Sequence, residues 1–170
     1  MGTGAADVTQ PTVLRVLILC TGNSARSQIA EALLARKGAG RIHADSAGSK
    51  PAARVNPYAV RVLAEHGIAW EGRKPKGIDA AIGVPWDVVI TVCDNAREAC
   101  PVFPGSTVMA HWGMPDPAEV DGGDDDKLQA FRETLAVLNG RIDRLLALPL
   151  ATLDARERRD RIRAIGEPHA

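Results

Sequence analysis

The chain has 170 residues, 45% of them hydrophobic and 25% charged, which is the size and composition of one globular domain and not of a disordered chain. Its 21 basic and 21 acidic residues cancel, so nothing in the charge favours a nucleic-acid or membrane-surface partner. No apolar stretch approaches the roughly 18 residues of a membrane span, and the start "MGTGAADVTQP" lacks the pattern of a secretory signal; the expected place is the cytoplasm, with the three cysteines as reduced thiols.

In chain order, residues 1–12 read as a flexible N-terminal tail. "VLRVLIL" (13–19) is a short apolar run suited to a buried strand. "SQIAEALLARKG" follows as a helix with Ile29, Ala32 and Leu33 on its apolar face and Gly38 as its stop. "RIHADSAG" (41–48) is a second strand, and "NPYAVRVLAEHGI" is a helix opened by Asn56 and Pro57. "WDVVITVC" (86–93) and "STVMAHW" (106–112) are the third and fourth strands. After the loop "GMPDPAEVDGGDDD", "KLQAFRETLAVLNGRIDRLLAL" is a long amphipathic helix closed by Pro149. Strands alternating with helices predict an α/β fold, and right-handed crossovers order its four parallel strands 2-1-3-4 with helices on both faces. The domain is expected over 13–148. Residues 149–170 form a C-terminal extension, whose five arginines and three acids over 154–163 suggest a solvated or frayed helix.

The stretch "CTGNSARS", Cys20 to Ser27, stands between the first strand and the first helix. A bland reading makes it a tight turn with a buried cysteine. A functional one makes it an anion cradle, because backbone N–H groups of the turn and of the helix N-terminus converge on one spot. On that reading the oxyanion-binding residues are Thr21, Gly22, Asn23, Ser24, Ala25, Arg26 and Ser27. Gly22 permits the turn, Asn23 tolerates a left-handed conformation, and Arg26 supplies a planar two-pronged donor. The same positive field is expected to lower the Cys20 thiol pKa, with Ser27 donating to the thiolate.

"LCTGNSARSQIAE" resembles the catalytic loop of the low-molecular-weight tyrosine phosphatase superfamily, and the likeness runs over roughly residues 13–148. The superfamily contains two chemistries, hydrolysis of phosphotyrosine and thiol-coupled reduction of arsenate. Cys93 and Cys100 bear on the choice. Either could be a small core residue. Yet Cys93 ends the third strand as Cys20 ends the first, and neighbouring strands lie about 4.8 Å apart, so both thiols belong at the same carboxyl edge. If "NAREA" is helical from an Asp94 cap, Cys93 and Cys100 lie about 10.5 Å apart along its axis. A disulfide between them then requires the segment to unwind.

The cysteine pattern and "HWGMPDP" (111–117) resemble the thioredoxin-coupled arsenate reductases. That resemblance implies Cys20, Arg26, Cys93, Cys100 and Asp116 as catalytic residues. Cys20 attacks arsenate, Asp116 is the general acid, Cys93 attacks Cys20, and Cys100 attacks Cys93. It implies arsenate as substrate, phosphate or sulfate as competing oxyanions, and thioredoxin or a similar thiol reductant as partner. "AEVDGG" after Asp116-Pro117, with only 4% aromatic residues in the chain, offers no clasp for a phenol ring, although a phosphomonoester phosphatase remains the alternative. Some members carry a further cysteine where this chain has Ala25. Potassium-activated members bind their ion through an asparagine, a glutamate and a downstream Thr-x-Asp. Here Asn23 and Glu31 are kept, but Lys74 and Lys76 stand downstream, and Lys74 is expected to pair with Glu31 in place of the ion. The four histidines have no ligand spacing, so no metal is assigned, and no cofactor is called for.

Overall fold

The computed structural model describes residues 13–93, 100–101, 103 and 107–167. Four strands form one parallel sheet: β1 (Leu14–Cys20), β2 (Ile42–Gly48), β3 (Val88–Thr91) and β4 (Val108–His111), in the order β2-β1-β3-β4. This is the predicted topology. Successive strand residues point to opposite faces, yet Val16, Leu17, Ile18 and Leu19 are all buried, as are Val88, Val89 and Ile90. Both faces of the sheet are therefore covered, which is why these strands read as continuous apolar runs and not as alternating ones.

Helix α1 (Arg26–Lys37) follows β1 and ends at Gly38, whose N–H bonds Leu34 O. Helix α2 (Pro57–Glu65) begins as expected: the Asn56 side chain accepts from Tyr58 N, and Pro57 occupies the first helical position, where no N–H is required. Helix α3 (Asp124–Ala147) starts three residues before the predicted Lys127. Asp124, Asp125 and Asp126 suit the positive end of the helix, and Asp126 accepts from Gly123 N at 3.1 Å. Its inward face carries Leu128, Phe131, Leu135, Leu138, Ile142 and Leu145, all buried.

The C-terminal segment departs from the expectation of fraying. Asp154 caps helix α4 (Ala155–Ile165) by accepting from Glu157 N, and Ile162 and Ile165 are buried. The helix is pinned to the β4 side of the sheet, where Trp112 Nε1 donates to Ile162 O at 3.0 Å and Arg163 Nε donates to Met109 O at 2.8 Å. Two apolar residues at helical spacing help to dock a segment whose Arg156, Arg159 and Arg161 remain exposed, while Arg158 is half-buried and donates to Leu150 O at 2.6 Å. Among the described residues, no helix is long and apolar enough to cross a membrane.

Candidate active site

The carboxyl ends of β1 and β3 place the candidate residues. Directly after Cys20 the chain turns sharply through Asn23, which holds a left-handed φ of 50° and is fully buried. Gly22, by contrast, has no positive φ, and a would-be Cβ there would make only ordinary contacts, 3.8 Å from the Cβ atoms of Ser24 and Ala52. The glycine the loop requires is Gly48, at the end of β2, where a Cβ would lie 2.5 Å from Thr21 O and 2.9 Å from Asn23 N. Segment 49–56 then wraps the loop from outside. The N–H groups of Ser49, Lys50, Ala52 and Asn56 bond the carbonyls of Cys20, Thr21, Gly22 and Ser24 at 2.8–3.2 Å. Turning these carbonyls outward turns the loop's amides toward its concave side, which is the requirement for an anion cradle.

At the base of this loop, Cys20 Sγ lies 2.8 Å from Ser27 Oγ and accepts from Asn23 N at 3.1 Å. Burial pushes the Cys20 thiol above its ordinary pKa, against the Ser27 hydroxyl and the amides of Asn23 and Ser27, which favour the anion; the nearby Cys93 sulfur adds to the upward push. The expected lowering is thus reversed, because the strand that delivers Cys20 also carries it out of water.

A buried polar network fixes Asn23. Its Nδ2 donates to Ser27 Oγ and Ser46 Oγ, both at 2.8 Å, while its Oδ1 accepts from Gln28 Nε2 at 3.0 Å and Lys76 N at 2.8 Å. Gln28 is held in turn by Trp70 Nε1, and Ser46 Oγ donates to Glu31 Oε1 at 2.5 Å. The lysine on Glu31 is Lys76 and not Lys74. The Lys76 ammonium lies 3.5 Å from Glu31 Oε1 and contacts the Asp45 carboxylate, whereas Lys74 is exposed. Arg73 stacks over Trp70 at 4.1 Å and reaches Glu31 Oε2 at 3.9 Å. Sequence reasoning missed Ser46, Gln28 and Trp70; the one available signal was a serine inside a half-apolar strand.

Arg26 faces the loop that follows β4. Its Nη1 donates to Met114 O at 2.8 Å, and its Nη2 lies 3.7 Å from Asp116 Oδ2. Asp116 Oδ1 accepts from Ala118 N and caps the short turn Pro117–Glu119. Arg141 of α3 steadies this loop through Trp112 O and Gly113 O. Arg26 and Asp116, 90 positions apart, are thereby neighbours at the cradle.

Thr91 of β3 pairs with Leu19, and Val92 N donates to Leu19 O, so the chain leaves β3 beside Cys20. The strand stops at Thr91, two residues short of the prediction, and Cys93 lies just beyond it, buried, with its sulfur 3.2 Å from Thr21 Oγ1. Cys100 is half-buried, which raises its thiol pKa, and it lines a cavity of about 550 Å³ together with Thr91, His111, Arg163 and Glu167. The helix expected from Asp94 falls on residues 94–99, outside the described residues. All three cysteines are thiols.

Comparison with known proteins gives one family and consistent relatives. The family of low molecular weight phosphotyrosine protein phosphatases matches over residues 15–159. An arsenate reductase of Halalkalibacterium halodurans is 36% identical over 127 residues, which is 75% of this chain and 91% of that protein. Among solved structures, an arsenate reductase from Archaeoglobus fulgidus superposes with a TM-score of 0.64 at 33% identity, covering 78% of this chain and 99% of the other. A thioredoxin-dependent arsenate reductase of Corynebacterium glutamicum superposes with a TM-score of 0.63 at 30% identity, covering 83% of this chain and 63% of that one.

Proposed function

The chain belongs to the low molecular weight phosphotyrosine protein phosphatase family, and on that premise we propose that it reduces arsenate to arsenite through a three-cysteine relay. The observation that carries this reading is the Cys93 sulfur, placed through Thr21 beside the loop that holds Cys20. A hydrolase needs one nucleophile at this edge, whereas a reductase needs a second thiol within reach of the first.

The chemistry runs as thiol exchange. The Cys20 sulfur attacks arsenic of H₂AsO₄⁻, forming an S–As bond, and one oxygen leaves as water with the Cys20 proton and the arsenate proton. Arg26 and the amides of residues 21–27 stabilise the oxyanion, and Asp116 is the proton donor to the departing oxygen, regaining its proton from the thiol. Cys93 then attacks the Cys20 sulfur. The S–As bond breaks, its electron pair stays on arsenic, and arsenite departs with the Cys93 proton. Cys100 attacks Cys93 and leaves a Cys93–Cys100 disulfide, with Cys20 restored as a thiol. A dithiol partner of the thioredoxin type reduces that disulfide. Phosphate and sulfate, tetrahedral oxyanions of similar size, compete for the cradle. A relay that ends in a disulfide awaiting reduction belongs in a reducing compartment, hence the cytoplasm.

The test is arsenite formation with purified thioredoxin, thioredoxin reductase and NADPH, run beside a glutaredoxin system. Continuous NADPH-coupled turnover is expected. It should vanish in Cys20→Ser, and in Cys93→Ser and Cys100→Ser it should vanish while hydrolysis of an aryl phosphate survives. Aryl phosphate hydrolysis without arsenite formation from any dithiol donor would make the protein a phosphatase.

A further inference from the structure

Asp116 stands in "GMPDP", with a proline on either side. Proline fixes its own φ and pushes the residue before it out of the helical region, so residues 114–117 have little conformational freedom. Asp116 accordingly holds φ −79° and ψ 114°. The segment therefore moves as one short rod. The aim of its carboxyl is set where the rod is rooted, at Trp112 and Gly113, because a glycine is the softest point of the backbone leading into it.

Three helices hold that root. Arg141 of α3 donates from Nη1 to Trp112 O at 2.9 Å and to Gly113 O at 3.3 Å, and Arg26 of α1 donates to Met114 O at 2.8 Å. Three successive carbonyls are thus tied to guanidinium groups. On the far side, Trp112 Nε1 donates to Ile162 O of α4 at 3.0 Å, and a Cβ on Gly166 would run into the Trp112 ring. Packing does less. Pro117 is buried, but a cavity of about 360 Å³ opens against the rod, lined by Met114, Pro115, Val120, Ala130, Thr134 and Val137. Arg141 stands half-buried in its wall, and among the described residues no carboxylate pairs with it. Burial pushes its pKa down, and Arg144 adds to that. A cation so placed is costly to keep, and its donors go to the two carbonyls at the root of the rod.

We propose that Arg141 is a positioning residue for the general acid: by fixing the Trp112 and Gly113 carbonyls it aims the rod, and with it the Asp116 carboxyl, at the oxygen that leaves the cradle. Arg141 touches neither substrate nor the reacting atoms. Its effect passes through two peptide groups and two prolines to Asp116, whose Oδ2 ends 3.7 Å from Arg26 Nη2. Helix α4 is the backstop, since Trp112 is clamped between its backbone and Arg141. A general acid works only within hydrogen-bond reach of the oxygen it protonates, so a small swing of the rod removes its contribution. This assignment rests on the reading of Asp116 as the acid of the first step.

The experiment is a double-variant cycle on the first bond-forming step, measured by rapid quench over a range of arsenate concentrations. Arg141→Met keeps the apolar stem and removes the donors. At saturating arsenate it should slow the step by about 10- to 10²-fold, the scale of a misplaced group, with the half-saturating concentration little changed. Arg141→Lys keeps one donor and should recover most of that loss; it carries the test by itself if Arg141→Met does not fold. Combined with Asp116→Asn, either variant should cost nothing further, because an acid that is absent cannot be misaimed. Alkylation of Cys20 by iodoacetamide should proceed at the unaltered rate, since the cradle does not depend on Arg141. Losses that multiply in the double variant, or Cys20 alkylation that slows along with the first step, would mean that Arg141 supports the fold or the cradle and overturn the proposal. An unchanged first step in Arg141→Met overturns it too. A loss below tenfold in Asp116→Asn alone shows that there is no acid to aim, and the proposal falls with that reading. If the unaltered protein does not react with arsenate at all, the reductase reading fails, and the same cycle on kcat/KM for phenyl phosphate, whose phenoxide leaves with the same proton, decides the role of Arg141 by the same outcomes.

Discussion

Thr21 Oγ1 lies 3.2 Å from Cys93 Sγ, joining the first residue after β1 to a residue just past β3. One side chain of the cradle thus orients the second thiol. When Cys93 loses its proton to attack Cys20, the Thr21 hydroxyl can donate to the forming anion. A hydrogen bond to a charged group contributes about 1.5–3 kcal/mol, or roughly 10- to 100-fold in rate. Thr21→Val should therefore slow arsenite release in a single turnover by that factor, and Thr21→Ser should restore most of it. Aryl phosphate hydrolysis, which does not use Cys93, should change little. Equal losses in both reactions would mean that Thr21 serves only the cradle.

Asp116 faces Arg26 across 3.7 Å while its other oxygen caps a turn. General-acid assistance is typically worth about 10²–10⁴-fold. Asp116→Asn retains the capping oxygen and removes the acid, so the first chemical step should fall within that range with arsenate affinity little altered. Rapid-quench measurement of the first bond-forming step, at saturating and limiting arsenate, separates the two. A loss below tenfold would leave Asp116 as a capping residue of the loop.

The sheet order was legible because its strands are short apolar runs separated by helical periods, and right-handed crossovers leave few alternatives. The cradle was legible because "CTGNSARS" packs a cysteine, a residue able to take positive φ and an arginine into one strand-to-helix turn. What the sequence hid is what depends on contacts between distant segments. Gly48 matters only because β2 ends against Thr21 and Asn23. Lys76 and Lys74 differ by two positions, and the course of the loop alone decides which of them reaches Glu31. Helix α4 read as solvated because five arginines outweigh two isoleucines in composition, although not in packing. The Cys20 thiol read as acidic because local donors are visible in a motif and burial is not.

Lys76 and the buried Glu31 form the outer end of a chain that runs through Ser46 to Asn23. Removing the ammonium leaves the Glu31 carboxylate with Ser46 and a more distant Arg73. Because Lys76 is partly exposed, the cost falls between that of surface and buried pairs, about 1–3 kcal/mol in Lys76→Ala, readable by urea unfolding. Lys74→Ala should be silent. A tethered cation at Glu31 also implies that activity of the unaltered protein does not change when potassium replaces sodium at fixed ionic strength. Activation by potassium, or an unfolding midpoint unmoved by Lys76→Ala, contradicts this assignment.

Ser27 provides the most direct reading of the Cys20 environment. Burial raises the thiol pKa, while the Ser27 hydroxyl pulls it down. Ser27→Ala removes the second effect and keeps the first, so the pKa should rise further. Iodoacetamide modification of Cys20, followed in a Cys93→Ser, Cys100→Ser background, should then be several-fold slower at neutral pH than with Ser27 present, with its inflection displaced upward. The sign for stability follows. A folded pKa above the unfolded thiol value of about 8.5 means that the fold favours the neutral thiol. That contribution is fully present below the unfolded value and is lost as pH rises through the folded one. Denaturant midpoints should accordingly decline over that alkaline window, and Cys20→Ala should flatten the decline. An alkylation profile that Ser27→Ala leaves unmoved would show that the hydroxyl does not reach the thiolate, and an inflection below the ordinary cysteine value would show that the cradle's positive field outweighs burial.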